Sequence, residues 1–105
     1  MFLNMIVYLS ESHRQDKKFQ VVVNGKVIHF GQRGYEDFTI HKDKKRMMNY
    51  IKRHKKNENW NDFNTAGFYS RWLLWNKPTL EESIIDLKKR FGIEIIHHTG
   101  KWSSL

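Results

Sequence analysis

Asn24-Gly25 is the feature that most restricts the fold, because it separates two short stretches rich in β-branched and aromatic residues. Residues 19–23 (FQVVV) precede it and residues 26–30 (KVIHF) follow it. A two-residue turn between antiparallel strands needs a positive φ at both positions, and Asn-Gly adopts this conformation most readily. The sequence therefore predicts a β-hairpin over residues 19–30.

Two further stretches predict strands near the ends of the chain. Residues 5–9 (MIVYL) are an unbroken apolar run of strand length, which is typical of a strand buried on both faces. Residues 93–97 (IEIIH) predict a last strand that joins the sheet. Residues 35–40 (YEDFTI) predict a short extended segment. Its apolar side chains are expected to point inward: Tyr35, Phe38 and Ile40.

Helix start signals predict three helices. Asp43 is a suitable N-cap for a helix over residues 44–56. Aromatic and leucine residues at helical spacing predict a second helix over residues 66–75. Thr79 and Glu82 form a capping box that opens a third helix. The apolar face of that helix is expected to consist of Leu80, Ile84, Leu87 and Phe91.

These elements predict an α+β fold, with a small, mainly antiparallel sheet packed by about three helices. At 105 residues, the chain is expected to form a single domain over residues 1–105. It has no cysteine, which excludes disulfides and thiolate sites. No apolar run approaches the roughly 20 residues of a membrane span, and the first residues lack the pattern of a signal peptide. A soluble, intracellular protein is expected.

The positive charge is concentrated in one segment. The formal net charge is +8, and residues 41–57 contain eight lysines and arginines against Asp43 alone. This segment therefore carries +7 of the +8. Such an excess favours acidic partners, namely nucleic acid, anionic lipid or an acidic protein surface.

A helical projection of residues 44–56 separates apolar from basic side chains. Met47, Tyr50, Ile51 and His54 fall on one face. The opposite face, which is the main candidate binding site, consists of Lys45, Arg46, Asn49, Lys52, Arg53 and Lys56. A solvated helix usually mixes charge signs, and this face contains no acid, so partner binding is favoured over simple solvation. Secondary candidates are Arg33, beside the glycines of residues 31–34, Lys42 and Arg71.

The aromatic cluster of residues 60–75 has two interpretations. Its members are Trp60, Phe63, Phe68, Tyr69, Trp72 and Trp75. Such rings can stack on the bases of single-stranded nucleic acid. At helical spacing beside leucines they more often build a core, and that interpretation is favoured, with one ring left as a potential interface anchor.

The sequence offers little for metal binding or catalysis. His97 and His98 are adjacent, so in a strand they point to opposite faces and cannot easily share an ion. There is no nucleophile motif, phosphate-binding loop or paired-carboxylate pattern. A non-enzymatic protein without cofactor or metal is therefore expected.

One block of residues resembles a known protein family. The block includes Gly34 with residues 37–39 (DFT), residues 41–43 (HKD), Tyr50 with Arg53-His54, Asn59-Trp60, residues 65–68 (TAGF) and residues 70–79 (SRWLLWNKPT). It resembles small basic proteins of unknown function encoded by large nucleocytoplasmic DNA viruses. The resemblance covers roughly residues 19–91, so residues 1–18 and 92–105 lie outside it.

Two functional hypotheses follow. The resemblance implies a viral protein that acts as a minor capsid or core component, located in the virion and in the host cytoplasm or viral factory. Its basic helix would dock an acidic surface on a capsid or core protein. The alternative is a sequence-non-specific protein that binds the DNA or RNA backbone. Self-association is compatible with both hypotheses.

Overall fold

The computed structural model describes residues 3–99, which form one mixed sheet with helices packed on one of its faces. In chain order, the elements are β1 Met5–Glu11, β2 Lys17–Val23, β3 Lys26–Gln32, α1 Phe38–His41, α2 Lys44–His54, α3 Ala66–Tyr69, a π-helical turn Ser70–Leu74, α4 Leu80–Phe91 and β4 Ile93–His97. The strand order is β3-β2-β1-β4. β1 pairs antiparallel with β2 and parallel with β4. The predicted α+β class is confirmed.

The predicted hairpin is present between β2 and β3. Asn24 has φ 50° and Gly25 has φ 76°, so both central residues adopt the left-handed conformation that such a turn requires. Val23 pairs with Lys26, and Val22 pairs with Val27, which fixes the antiparallel register of the two strands.

The prediction that the first strand is buried on both faces was wrong. Val7 and Leu9 are fully buried, but Ile6 is 53% exposed and Tyr8 is 44% exposed. The inner face of the sheet packs against α3, the π-helical turn and α4, and no helix within residues 3–99 covers the outer face. A continuous apolar run therefore does not distinguish two-sided burial from a strand with an uncovered apolar face.

Residues 35–40 do not form the predicted extended segment. Asp37 accepts a hydrogen bond from the backbone N–H of Thr39, and this N-cap begins the short helix α1. Phe38 is buried as expected, but Tyr35 is 69% exposed and Ile40 also points outward. The capping carboxylate determined the local structure more strongly than the loose apolar alternation.

The predicted helix over residues 66–75 has a π-helical second half. The backbone N–H of Trp75 donates to the Ser70 carbonyl at 3.0 Å, a bond between residues five positions apart. The wider turn brings residues five positions apart onto the same face. The pairs Phe68 with Leu73 and Tyr69 with Leu74 are accordingly all buried in the core.

Helix α4 closes the core as predicted. The Thr79 hydroxyl accepts from the backbone N–H of Glu82 at 3.1 Å and donates to the Glu82 carboxylate at 2.9 Å. Its predicted apolar residues are in or packed against the core: Leu80, Ile84, Leu87 and Phe91. The predicted last strand, β4, follows directly and pairs with β1. Trp102 lies outside the described residues.

Candidate polyanion-binding face and the adjoining cleft

Helix α2 begins where the sequence predicts. The Asp43 carboxylate accepts hydrogen bonds from the backbone N–H groups of Lys45 and Arg46, at 2.9 and 3.3 Å. The helix ends at His54, so Lys56 lies in the turn after it and not within the helix as predicted. Asp43 is outside the helix proper, so α2 itself contains no acidic side chain.

Aromatic stacking holds α2 on the domain. Tyr50 is 6% exposed and lies parallel to Trp75, with ring centroids 4.4 Å apart and planes 3° apart. The His54 ring stacks on Tyr50 at 4.1 Å. Burial, together with nearby Glu58, raises the pKa of the Tyr50 hydroxyl above its ordinary value. Tyr50 is the one buried side chain of α2, so it is the main anchor of the helix.

All six residues predicted for the basic face are exposed. Arg46 pairs with Glu36 at 3.1 Å, and both side chains are about half exposed, so this ion pair contributes little to stability. Within residues 3–99, no carboxylate pairs with the other cations of the face, namely Lys45, Lys52, Arg53 and Lys56. The face is therefore an accessible surface of largely uncompensated positive charge.

The six residues of the predicted basic face form two groups with different surroundings. Lys45 and Lys52 are exposed on the side of α2 opposite Tyr50, and together with exposed Lys56 in the following turn we call them the lysine row. Arg46, Asn49 and Arg53 lie nearer the sheet and line a cleft. Sequence periodicity treated the six side chains as one surface, whereas the structure assigns them to two different environments.

The cleft lies between α2, the sheet end near β2 and β3, and helix α3. Its volume is about 720 Å³. Its charged and polar lining includes Lys17, Lys18, Glu36, Asp37, Arg46, Asn49, Arg53, His54, Glu58 and Ser70. Its aromatic and aliphatic lining includes Phe30, Tyr35, Tyr50, Leu74 and Trp75. A volume in this range is typical of small-molecule sites.

Carboxylates neutralise part of the cleft. The Lys18 ammonium lies 2.7 Å from the Asp37 carboxylate, and both side chains are largely buried. His54 Nδ1 lies 2.8 Å from the Glu58 carboxylate, which also accepts from the indole N–H of Trp60. Lys18 and Asp37 are 19 positions apart, and nothing in the sequence linked the two residues, so sequence reasoning did not identify this pair.

The secondary candidates Arg33, Lys42 and Arg71 do not line the cleft. Arg33 lies 3.7 Å from Glu11, whereas the Lys42 ammonium donates to the carbonyls of Thr39 and Pro78 at 2.8 and 2.6 Å. Arg71 stacks on Trp72 and Trp60 and donates to the Trp75 carbonyl at 2.7 Å. Burial lowers the pKa of Arg71, and nearby Arg90 acts in the same direction. Lys42 and Arg71 therefore stabilise the fold through internal contacts.

The aromatic cluster of residues 60–75 belongs mainly to the interior. Phe68 and Tyr69 are fully buried, which confirms the core interpretation for these two rings. The other four are half-buried, and three of them pack directly against the core: Phe63, Trp72 and Trp75. The fourth ring, that of Trp60, is held by its indole N–H, which donates to the Glu58 carboxylate at 2.8 Å, and by the Arg71 guanidinium above it.

Other kinds of site were also considered for the described part of the chain. Within residues 3–99, no three histidine or acidic side chains come together in a way that could hold a metal ion. None of the helices in that range combines the length and apolar character needed to cross a bilayer.

Residues 7–54 match a protein family of unknown function, DUF5754. The match covers just under half of the chain and extends from β1 to the end of α2. No curated protein and no solved structure matches the chain. The matched segment includes the hairpin and most of the basic face, but it excludes Lys56 and helix α3.

Proposed function

We propose that the protein is a non-enzymatic binder of nucleic-acid backbone, with the lysine row of α2 as its main contact surface. The observation that carries this proposal is the exposure of Lys45 and Lys52 on α2, a helix without acidic side chains, and of Lys56 in the turn that follows it. None of the three has an ion-pair partner within residues 3–99.

The energetics of α2 favour a polyanionic partner. Lys52 lies in the last turn of α2 and Lys56 in the turn that follows, so their like charges lie near the same end of the helix and repel each other. Phosphates close to the row reverse this repulsion and release condensed counterions. Lysine ammonium groups contact phosphates as point charges, so the row does not read base sequence.

The proposal predicts measurable, sequence-tolerant binding. The full chain is titrated into fluorescently labelled duplex DNA of random sequence, and binding is followed by anisotropy at about 50 mM salt. A Kd of roughly micromolar is expected, since affinity comes mainly from phosphate contacts. A second duplex of unrelated sequence should bind equally well. Failure to bind either duplex at low salt contradicts the proposal.

A second candidate function is a structural role in a viral particle, as a minor capsid or core component. Its specific support is an apolar row on the outer face of the sheet, which we call the outer sheet row. The row consists of Ile96, Tyr8, Val22 and Val27, which pair across the four strands. Three of them are substantially exposed, and apolar surface of this kind is often covered by another protein. The resemblance to small basic proteins of large nucleocytoplasmic DNA viruses also supports a role in a viral particle.

The two candidate functions are compatible, because the lysine row and the outer sheet row belong to different layers of the domain. A core component could contact protein through the sheet and an anionic surface through α2. Mass spectrometry of purified particles of the encoding virus tests the second candidate. The chain should co-purify with the capsid or core fraction after salt washing. Its absence from purified particles contradicts a structural role in them.

A further inference from the structure

We infer that the cleft beside α2 receives one unstacked nucleotide of a single strand whose neighbouring phosphates lie on the lysine row. This inference rests on the proposed function and specifies the form of nucleic acid that the protein prefers. A base in a duplex is paired and stacked, so only a single strand or a frayed end can supply a base to the cleft at low cost.

The cleft is continuous with the proposed phosphate-binding surface. Arg46, Asn49 and Arg53 line it, and they lie on the same helix as the lysine row. A strand that follows the outer side of α2 would therefore pass the rim of the cleft. The volume of about 720 Å³ admits a nucleotide-sized ligand.

The charges of the cleft suit one phosphate and not several. Four cations line it, and three carboxylates, those of Glu36, Asp37 and Glu58, offset most of their charge. Within residues 3–99, Lys17 and Arg53 are the two cleft cations without an ion-pair partner. A polyanion would be repelled by the carboxylates, whereas a single phosphate at the rim can pair with Lys17 or Arg53.

Tyr35 provides a surface for the base. Its ring is 69% exposed, more than the other large apolar side chains exposed on the described residues, although it lines the cleft. An exposed aromatic ring beside unpaired cations is the combination that sequence-tolerant single-strand binders use, with stacking worth about 1–3 kcal/mol per base. The Asn49 amide, which also lines the cleft, can donate to and accept from base edges.

The walls of the cleft are held by contacts within the fold. Gly34, with φ 93°, precedes Tyr35 in a backbone conformation that most residues disfavour. On the opposite side, a Cβ on Gly67 would lie 2.8 Å from the Glu58 carboxylate, so glycine lets Glu58 pack there. The stacked rings of Tyr50 and Trp75 also line the cleft. Little ordering is therefore needed on binding, which favours affinity.

The inference is tested by comparing a thymidine oligonucleotide of about 12 nucleotides with a duplex of the same length. The wild-type chain should bind the single strand more tightly than the duplex. Tyr35→Ala should weaken single-strand binding by about 5- to 150-fold, which corresponds to the loss of one stacked base, and should leave duplex binding unchanged. Tyr35→Trp, which keeps an aromatic platform, should retain single-strand binding.

Ile40→Ala is the matched control, because Ile40 is also exposed on the neighbouring helix but does not line the cleft. This substitution should change neither the single-strand affinity nor the duplex affinity. Equal single-strand affinity in the wild type and Tyr35→Ala overturns the inference. If duplex binding also persists, the proposed function of the lysine row stands without the cleft. Failure of both nucleic acids to bind the wild type overturns both proposals.

Discussion

Duplex binding is expected to fall by at least about 100-fold at 50 mM salt when Lys45, Lys52 and Lys56 are all replaced by glutamate. The variant loses three phosphate contacts and presents three carboxylates to the same backbone. All three side chains are exposed, so no buried contact is lost. Anisotropy with labelled random-sequence duplex measures the effect.

The fold should survive this triple substitution. Glutamate near the first turn of α2, at Lys45, interacts favourably with the helix dipole. Glutamate near the last turn, at Lys52 and Lys56, is unfavourable by about 0.3–1 kcal/mol each. These opposing effects leave a small net loss of stability. Thermal melting measures this loss, and circular dichroism shows whether the helices are retained.

A charge-matched variant distinguishes binding by the lysine row from attraction through the overall net charge. Lys26, Lys88 and Lys89 are exposed residues away from α2, and their replacement by glutamate changes the net charge by the same amount. This control should lose much less affinity than the lysine-row variant. If both variants weaken binding equally, the protein attracts DNA through overall charge, and the assignment to α2 is wrong.

Tyr50→Ala is expected to destabilise the domain by about 3–5 kcal/mol, the usual range for truncating a buried aromatic ring. The substitution removes the parallel stack on Trp75 and the contact with His54. Since Tyr50 is the one buried side chain of α2, the helix loses its main attachment. Equilibrium urea unfolding gives the change in the free energy of unfolding.

Tyr50→Phe is the control for this prediction. It keeps the stacked ring and removes only the hydroxyl, so a loss of about 1 kcal/mol or less is expected. If Tyr50→Ala costs no more than Tyr50→Phe, stacking does not hold α2, and another contact must position the basic face.

The sequence predicted the elements that depend on local chemistry. The Asn24-Gly25 turn, the Asp43 cap and the Thr79–Glu82 capping box each involve residues within a few positions of one another. Turn and cap preferences act at that range, so these signals were sufficient. The separation of Tyr50 from the exposed cations followed from helical periodicity in the same way.

Features that depend on tertiary contacts could not be predicted. Apolar content alone did not reveal that helices cover one face of β1, leaving Ile6 and Tyr8 exposed. The cleft depends on the Tyr50–Trp75 stack and the Lys18–Asp37 ion pair, which join residues 25 and 19 positions apart. Two members of these contacts, Lys18 and Asp37, carried no sequence signal for such a role.

The salt dependence of duplex binding is the most direct test of the proposed function. Three to five phosphate contacts predict that log K falls against log salt with a slope of about −2.7 to −4.5. Between 50 and 200 mM salt, affinity should therefore fall roughly 40- to 500-fold. Neutralising the lysine row by replacement with glutamine should make the slope shallower by about 3. A wild-type slope near zero, or a slope unchanged in that variant, would contradict phosphate binding by α2.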